Sequence, residues 1–256
     1  ARRGQPNVTT VRARRRDDGD KLVGIKARRY AVGNGDEPFV KCSFAYDQAY
    51  KQPSRNLEND NKTLDEAGWI KNDKSIRSKN GAEMKLMLIG LNNHENTIVA
   101  KSLQQAWAVA GVKVEVVLQD EQELQSTISN RSYDVLLNAI SLGVDPDVYP
   151  FWHSTQADKR SASRLNFSDY TSETADKSLD GGRSRVNPVL RSAKYKPFLA
   201  AWQADSPALA LYQPRFLYIT RGRVFFYEPK VLNNSTDRLN NVHNWMIRQS
   251  NTVIAD

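Results

Sequence analysis

The hydrophobic positions between residues 84 and 140 change repeatedly between the period of a strand and that of a helix. The strand-like stretches are short and rich in Val, Ile and Leu, whereas the stretches between them repeat apolar residues every three or four positions. This alternation with short links predicts parallel strands joined by right-handed crossovers. The predicted elements are a strand at 84–89, a helix through 110 capped by Asn96 or Thr97, a strand at 112–118, a helix through Asn130 capped by Asp120, and a strand at 133–140.

The patterns on either side of this unit predict further helices and strands. The polar residues 46–61 indicate a loop, and a short helix at 61–68 follows, closed by Gly68. Gly181 and Gly182 are expected to weaken a later helix. Together the patterns predict an α/β lobe with a mostly parallel sheet flanked by helices. The later elements are helices at 172–185 and 188–205, the second with Pro188 in its first turn, and strands at 207–212 and 216–220.

Residues 141–165 have no sustained period and form the longest predicted loop of this region. The loop contains Gly143, Pro146 and Pro150, which do not fit a continuing helix or strand. Loops of this length without secondary structure are often functional. This one leaves the carboxyl end of a predicted parallel strand, where ligands lie in open α/β sheets. We therefore expect the loop to line a binding site.

The net charge of +8 is concentrated at the start of the chain. Residues 1–30 hold ten Lys and Arg against three Asp, so this segment carries +7 and the remaining residues are close to neutral. A basic arm can bind phosphates by releasing counterions, which makes a nucleic-acid-binding protein the alternative function. However, the arm lacks interleaved aromatic residues for base stacking and has only Tyr30 at its end.

The residues that usually carry catalysis or bind metals form no recognisable pattern. The single Cys42 excludes a disulfide within the chain, and the three histidines His94, His153 and His243 lie far apart without metal-ligand spacing. Paired acids such as Glu121 and Glu123 do not face each other across a site on a helix. No nucleophile elbow, phosphate loop or dinucleotide motif occurs. The sequence therefore predicts no enzyme, metal site or cofactor.

Five stretches, in the same order as in the family, resemble the family 5 extracellular solute-binding proteins. KTLDEAGW at 62–69 resembles an LLxEAGW segment, and residues 111–155 resemble a strand, a helix, a YD-led strand and a loop carrying DPD. LNFSDYTSETADKSLDGGR at 165–183 and ADSPALALYQPRFLYITRGRV at 204–224 resemble two further segments. NVHNWMI at 241–247 is similar to a closing NIHDW segment. Each motif alone is weak, but the shared order makes the resemblance specific.

The resemblance implies a type II periplasmic-binding-protein-like lobe, since family members have two lobes and about twice this length. Residues 1–40 form a basic, weakly patterned segment where the resemblance is loose. The resemblance implies the C-terminal lobe at 41–215 and a return segment at 216–256 that completes the other lobe. The implied function is reversible binding of a short peptide or similar small solute for an ABC importer.

The same resemblance implies the location and the partners of the protein. The expected location is periplasmic or extracellular, with cell-surface attachment only through an N-terminal anchor that this sequence lacks. The expected partners are the solute and the permease subunits, and no nucleic acid.

The resemblance places the solute site in the loop after the third strand and on a later strand pair. Asp145 and Asp147 hold a ligand ammonium or simply form a turn, since Asp-Pro-Asp suits both roles. His153 contacts ligand or has a structural role, and Arg215 pairs with a ligand carboxylate or with a surface acid. The implied ligand-binding residues are Ser141, Asp145, Asp147, Tyr149, Trp152, His153, Tyr212 and Arg215. The family's peptide binders often carry an aspartate slightly upstream, where this chain has residues 140–143.

Overall fold

The computed structural model describes residues 7–13, 32–41, 43–143, 145–214, 224–227, 239 and 241–247. The strands are β1 (Asn7–Ala13), β2 (Val32–Asn34), β3 (Ile70–Lys71), β4 (Arg77–Lys79), β5 (Ala82–Glu83), β6 (Lys85–Leu91), β7 (Lys113–Gln119), β8 (Val135–Ser141), β9 (Ala208–Pro214), β10 (Val224–Phe225) and β11 (Met246–Ile247). The α-helices are α1 (Leu57–Glu66), α2 (His94–Val109), α3 (Glu121–Asn130), α4 (Tyr149–Trp152), α5 (Glu173–Arg183) and α6 (Pro188–Asp205). The predicted strand at 216–220 and most of the basic arm lie outside the described residues.

The central sheet has six strands in the order β2-β9-β1-β8-β6-β7. Strand β6 pairs in parallel with β7 and β8, and helices α2 and α3 connect them as the sequence predicted. The remaining pairs, β8 with β1, β1 with β9 and β9 with β2, are antiparallel. The fold is therefore an α/β lobe with a sheet flanked by helices, as expected, and parallel pairing is confined to the β6–β7–β8 unit. Part of segment 1–40 joins this sheet as β1 and β2.

Two faces of the sheet are covered by different helices. On strand β8, Val135 and Leu137 pack with Leu103 and Trp107 of α2. Leu136 lies on the opposite face with α3. Further along β8, Ile140 joins a core formed with α5 and α6, a group that includes Trp152, Tyr195, Phe198 and Trp202. Alternate burial on both faces explains why this strand reads as a nearly continuous apolar run.

Helix α2 begins earlier than the sequence pattern indicated. Its cap is Asn93, whose side-chain oxygen accepts a hydrogen bond of 2.8 Å from the backbone N–H of Asn96. The predicted caps Asn96 and Thr97 lie inside the first turn, so that prediction was wrong. A run of polar residues offers several possible caps, and the one with extended backbone at the strand exit is used. Asp120 caps α3 as predicted, through the N–H of Glu123 at 2.8 Å.

Helix α1 also begins earlier than predicted, at Leu57 rather than at residue 61. Asn56 caps it through the N–H of Asn59 at 3.2 Å, so part of the predicted loop belongs to the helix. Gly68 closes the helix region with a backbone φ of +83°, as its composition suggested. The first turn is entirely polar apart from Leu57, and apolar periodicity therefore gave no sign of it.

A buried arginine fastens α1 and the small three-stranded sheet β3-β4-β5 to the main body. Arg77 has only 1% of its surface exposed. Its guanidinium donates to the carbonyl of Ala110 at 2.7 Å and to the side-chain oxygen of Asn61 at 2.7 Å, and it pairs with Asp65. These bonds satisfy a charge that would otherwise be costly to bury.

Within the described ranges, every helix is too short or too polar to span a bilayer.

Candidate functional site

Four strands end at the same edge of the central sheet. Strands β6, β7 and β8 are mutually parallel, and β9 runs in their direction because it is antiparallel to β1, which is antiparallel to β8. Their last residues are Leu91, Gln119, Ser141 and Pro214. Open α/β sheets bind ligands outside this edge. The edge is therefore the candidate site, and the predicted loop at 141–165 leaves it from β8.

The predicted loop is more ordered than its lack of periodicity suggested. It contains the short helix α4 and a 3-10 turn at Ser154–Gln156. Val148 and Trp152 are buried, and the Trp152 ring meets the Trp202 ring edge to face at a centroid distance of 5.9 Å. Trp152, one of the predicted ligand contacts, thus packs in the core beneath the loop.

Asp145 forms a bidentate ion pair with Arg191 of α6. The Asp145 carboxylate oxygens accept hydrogen bonds from Nη1 and Nη2 of Arg191 at 2.8 and 2.7 Å. The carboxylate is 60% exposed, whereas the arginine side chain is only 11% exposed. The carboxylate raises the pKa of Arg191 well above its ordinary range. Fork-to-fork geometry of this kind holds both groups in one orientation.

Asp147 forms a single-contact ion pair with Arg183, the last residue of α5. Its carboxylate lies 3.0 Å from Nε of Arg183 and also accepts the backbone N–H of Tyr149 at 3.1 Å. Both loop carboxylates therefore already have guanidinium partners, and a ligand ammonium would have to compete with them. The Asp147 bond to the Tyr149 N–H is also the turn chemistry that the sequence suggested as the other possibility.

Three side chains form a stack beside this ion pair. The guanidinium of Arg183 lies over the Tyr149 ring at 4.2 Å, and the Tyr149 ring stacks on His153 at 4.1 Å with an angle of 23° between the planes. A cation against an aromatic face is attractive, and more so where water is partly excluded. The stack covers both faces of the Tyr149 ring and fixes that ring on the loop that leaves β8.

His153 is held by several groups of the lobe itself. It is buried, its Nδ1 lies 2.8 Å from Oγ1 of Thr155, and its Nε2 lies 3.8 Å from Asp176 and 3.7 Å from Asp180. Asp176 also accepts the backbone N–H of Ser154 at 2.9 Å. These contacts give His153 the structural surroundings that were one of its two predicted roles.

Tyr212 joins β9 to the first turn of α2. Its hydroxyl donates a hydrogen bond to the carboxylate of Glu95, an exposed residue at the edge where the strands end. Ser141 is exposed at the end of β8. Arg215 lies outside the described residues. Of the predicted residues, the structure brings Asp145, Asp147, Tyr149 and His153 together on one loop, with Ser141 at its start.

Sequence reasoning missed Glu95, Arg183 and Arg191. Arg191 and Asp145 are 46 positions apart, and no local spacing connects them. Glu95 precedes the predicted helix caps Asn96 and Thr97, so the sequence pattern gave no reason to single it out. In each case the partner is contributed by a distant element, so the signal arises only on folding.

The lobe also contains a small apolar cleft beneath the loop. About 20 Å³ is open to the centre of a water molecule, which is room for one or two waters. A peptide needs more room than this cleft offers. The lining residues are Leu136, Asn138, Ile140, Phe151, Trp152, Leu165, Phe167, Ser168 and Ala208.

Among the residues that the structure describes, no group of three or more His, Cys, Asp or Glu side chains is placed to hold a metal ion.

Comparison with known families identifies one match over the central part of the chain. Residues 30–162 match the family model described as bacterial extracellular solute-binding proteins, family 5 Middle. Among curated proteins, the chain is 27% identical over 181 residues to protein XP55 of Streptomyces lividans and 27% identical over 155 residues to the oligopeptide-binding protein AppA of Bacillus subtilis. These alignments cover 70% and 59% of this chain but only 32% and 28% of the relatives. The chain thus spans about a third of their length.

Solved structures of longer proteins share the fold. AppA of Bacillus subtilis in complex with a nonapeptide superposes with a TM-score of 0.70 at 18% identity, covering 96% of this chain and 51% of that one. NikZ of Campylobacter jejuni in complex with Ni(L-His) gives 0.69 at 20% identity, covering 84% and 43%. A periplasmic oligopeptide-binding protein of Thermotoga maritima with bound mannohexaose gives 0.70 at 16% identity, covering 82% and 44%.

Proposed function

Because the chain belongs to the bacterial extracellular solute-binding proteins of family 5, we propose that it forms one wall of a cleft that captures a short peptide or a similar small solute for an ABC importer. Binding is reversible and involves no chemistry. The protein works outside the membrane, in the periplasm or at the cell surface, and releases the solute to the permease subunits.

One observation carries this proposal: four strands end at a common edge, and the loop that leaves β8 is fixed there by two ion pairs. A ligand at this edge meets a rigid surface that needs little ordering on binding, which favours affinity. The other wall would come from a second lobe that closes by a hinge.

A peptide suits this wall better than a bare metal ion does. Extended peptides are held mainly through their main chain, while loosely fitting pockets accept varied side chains. The exposed Ser141 offers a hydroxyl for such contacts, and the partly exposed Tyr149 offers the edge of its ring. Two similar proteins, AppA and the Thermotoga maritima protein, are named as oligopeptide-binding, which also supports a peptide-type ligand.

Thermal unfolding of the intact protein tests the proposal. A mixture of random peptides of two to nine residues should raise Tm, because a ligand that binds only the folded state stabilises it. Ni(L-His) and mannohexaose serve as comparison ligands, because structures with similar folds contain them. The absence of a shift with every peptide mixture would contradict peptide capture.

A matched pair of variants tests the position of the site. Ser141→Tyr places a bulky ring at the exposed end of β8 and should weaken binding of the stabilising peptide by tenfold or more. Ser102→Tyr places the same ring on the exposed side of α2 and should leave the affinity unchanged. Titration calorimetry with both variants measures the difference. Equal affinities would place the ligand elsewhere.

A further inference from the structure

The turn between α5 and α6 and the first turn of α6 expose three aliphatic side chains. Val186, Val189 and Leu190 are 96%, 76% and 55% exposed. Because these side chains are exposed, they contribute little to the core of this lobe. We call residues 183–194 the α5–α6 tip.

The tip is also positively charged. Arg183, Arg185, Arg191 and Lys194 lie within it, and it contains no acidic residue. Arg183 and Arg191 are paired with Asp147 and Asp145. Within the described part of the chain, Arg185 bonds only to the neighbouring Ser184, and neither Arg185 nor Lys194 forms an ion pair. Two cations therefore remain available beside the aliphatic side chains.

The tip is held rigidly and lies beside the candidate ligand site. The hydroxyl of Ser178 accepts the N–H of Phe198 at 3.0 Å, and Arg191 donates to the carbonyl of Gly182 at 3.1 Å, so hydrogen bonds join α5 to α6 at both ends of the tip. The ion pairs to Asp145 and Asp147 connect the tip to the loop that begins at Ser141. A partner that docks on the tip would thus contact the side of the lobe that borders the site.

We propose that the α5–α6 tip is a docking surface for a protein partner that presents an apolar depression bordered by carboxylates. Complementary charge steers such an encounter, and the aliphatic side chains supply the area that is removed from water. This inference rests on the proposed function, under which the partner is the membrane-embedded part of the importer. Two features of the tip favour such a partner over a lipid surface or a second copy of this chain.

The first feature is the absence of aromatic side chains from the tip. Trp and Tyr are the residues that anchor proteins at a membrane interface, so a lipid surface fits the tip less well. The second feature is its single sign of charge. Two copies meeting tip to tip about a two-fold axis would bring one positively charged surface against another, and like charges oppose that contact.

Binding of the intact, fluorescently labelled protein to its importer subunits in zwitterionic nanodiscs tests the proposal. The double substitution Val186→Ser with Val189→Ser should raise Kd at least tenfold while leaving Tm unchanged, because both side chains are exposed. The matched control is Ile98→Ser with Val109→Ser, which alters two exposed aliphatic residues of α2 and should leave Kd unchanged. Arg185→Glu with Lys194→Glu should slow association and weaken its dependence on salt.

Three results would overturn the docking proposal. Equal Kd values for the tip variant and the α2 control would show that the tip is not used. A tip-dependent loss of binding to phosphatidylglycerol vesicles, with importer binding unchanged, would assign it to the membrane. A tip-dependent dimer in sedimentation equilibrium would assign it to a second copy. If the unsubstituted protein fails to bind the importer at all, the proposed function itself is contradicted.

Discussion

Glu37 is a carboxylic acid with only 1% of its surface exposed. One oxygen accepts the backbone N–H of Asp47 at 3.2 Å, and the other has no hydrogen-bond partner among the described residues. Burial raises its pKa from the ordinary 4.5 to about 8, against the lowering effect of the Asp47 hydrogen bond. The folded protein therefore favours the protonated acid at neutral pH.

This shift makes stability fall as pH rises. Below about pH 4.5 the acid is protonated in both the folded and the unfolded chain, whereas between 4.5 and about 8 only the unfolded chain releases the proton. Glu37→Gln keeps the shape without the charge. Between pH 5 and pH 8, the free energy of unfolding of this variant should fall by about 1–3 kcal/mol less than that of the unsubstituted protein. Urea midpoints at both pH values measure this, with Glu121→Gln on the exposed surface of α3 as the control.

The Asp145–Arg191 pair should matter more than a surface pair of similar geometry. Asp145→Asn leaves a largely buried guanidinium without its carboxylate, which we expect to lower the free energy of unfolding by about 1–3 kcal/mol. Asp158→Asn removes a pair whose arginine, Arg160, is 89% exposed, and this should leave the urea midpoint nearly unchanged because solvent screens the pair. Equal effects in urea denaturation would mean that the Asp145 pair does not fix the loop.

At the scale of elements, the adjacent glycines of α5 have opposite surroundings. A Cβ on Gly182 would lie 2.1 Å from Cε1 of Tyr195, so α6 packs where that side chain would be. A Cβ on Gly181 would meet only the flexible Lys194 chain, at 3.4 Å. The sequence showed both glycines as weak points of the helix, but only one of them is required for packing.

Paired alanine substitutions test this difference. Gly182→Ala should force α5 and α6 apart and lower the free energy of unfolding by about 1–3 kcal/mol. Gly181→Ala should be neutral or stabilise the helix by up to about 1 kcal/mol, because alanine loses less backbone entropy than glycine. Denaturation at one pH compares the two variants, and equal effects would contradict the close packing against Tyr195.

The ends of helices show where sequence patterns stop being sufficient. Asp120 stands alone before an amphipathic stretch and was identified correctly as a cap, as was the position of Pro188 in the first turn of α6. Asn93 stands among several polar residues, and the selection of this cap depends on how β6 leaves the sheet. A helix cap can be identified from sequence when only one candidate residue is present. When several candidates are adjacent, the path of the backbone decides which of them is the cap.

At the scale of the whole molecule, the uneven charge predicts weak binding to nucleic acids. The basic residues 1–30 should attract a fluorescent single-stranded 20-mer at 50 mM salt, and the binding should be lost by about 200 mM because it rests on counterion release. Fluorescence anisotropy with the intact protein measures this. Tight binding at the higher salt that disappears on deletion of residues 1–30 would favour the nucleic-acid alternative.

The sequence by itself determined the β6–β7–β8 unit, the two connecting helices and the family. Local periodicity and short motifs carry this information, because apolar side chains must face the core at the period of their own element. The position of the long loop after β8 was determined in the same way, since it follows from strand order.

Only the tertiary structure decided what the loop residues contact. Asp145 and Asp147 meet arginines from α5 and α6, and Trp152 packs in the core rather than lining a site. The antiparallel half of the sheet and the exposed α5–α6 tip also became visible only in three dimensions. These features depend on pairing between residues far apart in the chain, and the free energy of such contacts is not encoded in any local pattern.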